Sequence, residues 1–73
     1  MDEVTEISKL RIMESAAGHY IGRTYNGGFP YERITGYMTL ARAYEWLEYY
    51  HRNDPEDIDL SAPHLPPSLR NPQ

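Results

Sequence analysis

The chain has 73 residues, no cysteine, nine aromatic residues (seven Tyr, one Phe, one Trp) and a formal net charge of −4. Such a length allows one domain with a small core, and the lack of cysteine excludes a disulfide framework and a Cys-based zinc site. One lysine and six arginines, spread along the chain, are too few and too scattered for a surface that holds duplex nucleic acid by charge.

The acidic start "MDEVTEISKL" lacks the apolar block of a secretory signal, and no apolar run approaches the roughly 20 residues of a membrane span. A soluble, cytoplasmic protein that is monomeric when free is expected. Charge is uneven: residues 1–14 carry four acids and two bases, and residues 53–73 four acids and one arginine. The body between these acidic ends is close to neutral.

Placed on a helix, Val4, Ile7, Leu10, Ile12 and Met13 scatter around the axis. As a strand, Ser8, Leu10 and Ile12 alternate against Lys9 and Arg11, so a strand near residues 7–13 is favoured, with a helix over 1–14 left open. Next comes "HYIGRTYNGGFPYERITGYM". Asn26-Gly27 favours the positive backbone angles of a hairpin turn, and the flanks are rich in β-branched and aromatic residues. A hairpin over 18–38 follows. Gly22 and Gly36 fall within strands, where a glycine marks a bulge or the close approach of another element; the helix crossing the sheet is the expected neighbour.

The stretch "TLARAYEWLEYYHR" reads as a helix with Thr39 at its N-cap and "NDP" at its end. Leu40, Ala43, Tyr44, Leu47, Tyr50 and His51 share one face, with Ala41, Glu45, Glu48 and Arg52 opposite. Tyr20, Ile34, Met38, Tyr44 and Leu47 are the expected core. From Pro55 onward the chain holds five of its six prolines and no aromatic residue, and it lacks any period. The prediction is an α+β fold. A single domain over 1–52 has a three-stranded antiparallel sheet packed by one C-terminal helix, and 53–73 form a disordered acidic, Pro-rich tail.

No chemistry stands out. His19, His51 and His64 lack metal-ligand spacing, the serines lie outside any nucleophile motif, and the glycines match no phosphate loop. The reading is a protein that is not an enzyme and has no cofactor or metal. What remains is an aromatic and basic stripe. Tyr31, Arg33 and Tyr37 fall on one strand face, Arg23 and Tyr25 are expected to join them across the hairpin, and Arg42, Trp46 and Tyr49 flank the helix. Tyr and Arg combine apolar area with hydrogen bonding, the mixture that dominates protein interfaces. These eight residues are the candidate partner-binding set, with acidic ends that steer toward a basic partner and away from nucleic acid. A single-stranded nucleic acid stacked on the same stripe is the rival.

In length, in acidic cysteine-free composition and in its hairpin–helix body with a Pro-rich end, the chain resembles the small transcription regulators of Xanthomonas bacteriophages. The resemblance implies binding to the N-terminal region of the β′ subunit of bacterial RNA polymerase, in the host cytoplasm. It further implies inhibition of transcription initiation and antitermination. It assigns no residue a role. An inhibitor of a host defence complex, or an interaction protein unrelated to phage, shares the same outline.

Overall fold

The computed structural model describes residues 6–70; what was expected of 1–5 and 71–73 lies outside them. Strands β1 (Arg11–Ser15), β2 (Gly18–Tyr25) and β3 (Phe29–Arg33) form an antiparallel sheet in the order β1-β2-β3, followed by helix α1 (Leu40–Asn53). This is the α+β arrangement expected from the sequence. The β2–β3 turn forms because Asn26, Gly27 and Gly28 take φ of 50°, 89° and 157°, values that residues with large side chains avoid. Helix α1 starts where Thr39 accepts a hydrogen bond from the Arg42 N–H at 3.2 Å and ends where the Asp54 N–H donates to the Tyr50 carbonyl. His51 and Arg52 in its last turn complement the helix dipole.

The first strand begins later than the spacing predicts. Ile7 and Leu10 make only isolated bridges, Ile7 to Tyr25 and Leu10 to Ile58, and regular pairing starts at Arg11 opposite Gly22. Leu10 turns its backbone outward to the C-terminal segment: its N–H donates to the Asp57 carbonyl and its own carbonyl accepts from the Asp59 N–H.

The core gathers Leu10, Ile12, Ile21, Ala43, Leu47, Ile58 and Leu65, with Met38, Leu40, Tyr44, Tyr50 and Leu69 packed around it. The helix face read from the sequence is therefore the buried one. Two expected core members fall elsewhere: Ile34 is 39% exposed, and Tyr20 packs edge-on against Tyr37 rather than into the cluster.

The C-terminal segment departs most from expectation. Residues 54–70 do not behave as a disordered tail: Ile58, Ala62, Leu65 and Pro66 are buried. Short 3-10 turns at Pro55–Asp57 and Pro67–Leu69 shape the segment, and Ile58 bridges to Leu10. Proline needs no donor partner, and its fixed φ lowers the entropy lost on ordering. A few well-placed aliphatic side chains therefore suffice to dock the segment without any local period.

Gly22 explains how closely the strands approach. A Cβ there would stand 2.4 Å from the Glu32 carbonyl oxygen and 3.1 Å from the Tyr20 ring. The neighbour that requires glycine is thus β3 and the Tyr20 ring, not the helix. Gly36 faces open space, so it too is no helix crossing.

Candidate aromatic–arginine surface

Helix α1 and the C-terminal segment pack with Ile12 and Ile21, one side of the sheet. Side chains alternate along a strand, so Tyr20, Gly22 and Thr24 belong to the other side. The β2–β3 register decides where each arginine goes. Gly22 pairs with Arg33 and Arg23 with Glu32, after which a bulge shifts the pairing to Thr24 with Pro30 and leaves Tyr31 as the extra residue. Cross-strand partners share a face. Arg33 therefore lies on the Gly22 face, and Arg23 lies on the opposite one.

This splits the expected stripe. Arg23 is removed from it: its Nη1 and Nη2 donate to the two Asp57 carboxylate oxygens at 3.0 and 2.8 Å, and its Nε lies 3.5 Å from Glu32. Hydrogen bonding to Arg23 holds the Asp57 carboxyl below its ordinary range, and the same bond raises the Arg23 guanidinium. Arg23 is a clamp on the C-terminal segment. Arg11, 3.8 Å from Asp59 and hydrogen-bonded to the Thr24 hydroxyl, adds a second tie.

The remaining residues form three groups. On the open face the Arg33 guanidinium lies over the Tyr37 ring, 5.0 Å from its centroid, and Tyr37 meets Tyr20 edge-on at 5.6 Å. Tyr20, Pro30, Tyr31, Glu32, Arg33 and Tyr37 line a shallow groove. At the hairpin end Tyr25 contacts Tyr31 at 6.1 Å and Phe29 at 5.6 Å. On the helix Arg42, Glu45, Trp46 and Tyr49 line a second open concavity, and Trp46 meets Tyr49 at 5.9 Å. Phe29, Tyr31, Tyr37 and Tyr49 are 60, 56, 48 and 47% exposed, so roughly half of each ring faces water.

Three contributors were missed by the sequence reading. Tyr20 shares the period of Gly22, whose cross-strand partner Arg33 lies on the open face. Phe29 gave no signal, because position in a turn does not tell exposure. Tyr50 packs against the core cluster and also meets the Trp46 ring at a tilt and the Tyr49 ring edge-on. The fold also brings together two histidines far apart in the chain: the His19 and His64 rings lie 6.1 Å apart, with His64 Nε2 3.8 Å from Glu14. Among the described residues no three His, Asp or Glu side chains converge as metal ligands, and no helix is long and apolar enough to cross a membrane.

No protein-family model, no curated protein and no solved structure matches this chain.

Proposed function

We propose that the protein is a non-enzymatic docking module whose open sheet face, with Tyr20, Tyr31, Arg33 and Tyr37, grips another protein. The helix flank of Arg42, Trp46 and Tyr49 supplies a second anchor. The observation that carries this reading is the half-exposed cluster of Tyr31, Tyr37 and Arg33. Large exposed aromatic groups cost solvation and mark interaction surfaces, and Tyr with Arg is the composition of interface hot spots.

The partner we propose is bacterial RNA polymerase at the N-terminal part of β′, bound so that initiation is inhibited and termination bypassed; its support is the resemblance in length, charge and plan. A host defence complex is a partner of the same kind. The test is capture from nuclease-treated bacterial lysate, comparing wild type with Tyr31→Ala and Trp46→Ala. Polymerase subunits held by wild type and lost by folded variants support the reading. Equal recovery by all three chains refutes it.

A second reading, single-stranded nucleic acid stacked on the tyrosines, is favoured by the open antiparallel face alone. Steep loss of oligonucleotide affinity with added salt would support it.

A further inference from the structure

The open-face groove holds one cation that the fold leaves unspent. Among the described residues Arg11, Arg23 and Arg42 each have a carboxylate within ion-pair range, whereas Arg33 has none and its side chain makes no hydrogen bond. It is nevertheless held in place, its guanidinium 5.0 Å from the Tyr37 centroid. A guanidinium held over a ring spends no N–H donor on it and keeps the planar fork that matches a carboxylate. Glu32 also lines the groove, but its carboxylate lies 3.5 Å from the Arg23 Nε and not within ion-pair range of Arg33. It therefore leaves the Arg33 fork open.

The rings around Arg33 specify the rest of the ligand. Tyr20 and Tyr37 stand edge-on to each other, and Tyr31 and Pro30 line the groove with them. Such walls accept flat apolar segments, proline above all, while tyrosine hydroxyls reach peptide carbonyls. Charge limits the choice further. The whole chain carries −4, so a polyanion is repelled at long range while one carboxylate is welcomed locally.

We propose that this groove receives an extended segment of a protein partner, flanked by proline or other apolar residues and carrying one carboxylate that the Arg33 fork binds. The inference rests on the docking reading above and names what that face recognises.

The test uses the full chain labelled for amide NMR. The probes are a short synthetic peptide with one glutamate between prolines, its glutamine counterpart, and oligothymidylate. The glutamate peptide is expected to shift amides near Tyr20, Tyr31, Arg33 and Tyr37, and to bind about fivefold to tenfold tighter than the glutamine peptide. That preference disappears in Arg33→Gln and shrinks in Arg33→Lys, which keeps the charge and loses the fork. Four results would each overturn the inference. These are equal binding of the two peptides, no binding of either, a preference that survives in Arg33→Gln, or tighter groove binding by oligothymidylate. If the peptides fail while Tyr31→Ala still abolishes capture from lysate, docking stands and only the carboxylate recognition is wrong.

Discussion

Arg23 and Arg33 lie on adjacent strands, one register step apart, and they have opposite surroundings. Arg23 faces the side covered by the helix and the C-terminal segment, where Asp57 takes both of its Nη groups and Glu32 its Nε. Arg33 faces the open side, where its partner is the Tyr37 ring. Arg23 thus fastens the fold while Arg33 is presented to solvent. The difference arises from the two-residue period of a strand combined with a single bulge. It also separates stability from recognition: changes at Arg23 and the segment it holds are expected to destabilise the fold, and changes at the exposed Tyr31 and Arg33 to spare the fold and remove binding.

The comparison breaks most readily at the core. Leu47, 1% exposed, lies at the centre of the helix–sheet contact. Leu47→Ala should cost about 2–5 kcal/mol, most of the stability of so small a domain, seen as a collapsed thermal transition in circular dichroism. Next in size is Gly22→Ala, whose added methyl meets a backbone oxygen rather than a movable side chain. It should push β3 from β2 at a cost of about 1–3 kcal/mol, with exchange protection lost first in β3.

The Arg23–Asp57 clamp comes third. Asp57→Asn should cost about 1 kcal/mol, which in a domain of this size lowers the melting temperature by about 4–8 °C. Its pH dependence follows from the depressed Asp57 carboxyl. A group whose folded pKa lies below its unfolded value binds its proton more readily when unfolded. Its stabilisation is therefore complete above the ordinary carboxylate range and is lost as pH falls through the folded value. Wild type should show an acid-side loss of stability that Asp57→Asn lacks, measured by urea melts across the acid range. The smallest effect on stability belongs to the open face: Tyr31→Ala and Arg33→Gln should shift the unfolding free energy by less than about 0.5 kcal/mol.

Much of the covered architecture was legible in the sequence because its signals are local. Asn26-Gly27-Gly28 encodes the turn by backbone angle, Thr39 encodes the helix start, and the spacing of Ala43 and Leu47 encodes the buried helix face. The C-terminal segment was not legible. Ile58, Ala62 and Leu65 share no period, and what orders them is Leu10, Arg11 and Arg23, more than thirty residues upstream. The site was legible in composition and not in geometry. Tyr31, Arg33, Tyr37, Arg42, Trp46 and Tyr49 do lie at the surface. Arg23 was misplaced because the face an arginine adopts depends on strand register, which a single sequence does not carry.

The most direct test sets Arg23→Gln beside Arg33→Gln, measuring the melting temperature and the capture of a partner protein from nuclease-treated lysate for each, below both melting temperatures. The account predicts that Arg23→Gln melts several degrees lower and keeps its partner, while Arg33→Gln melts as wild type does and loses it. Retained capture by Arg33→Gln, or loss of capture by a folded Arg23→Gln, would contradict the division between the two faces.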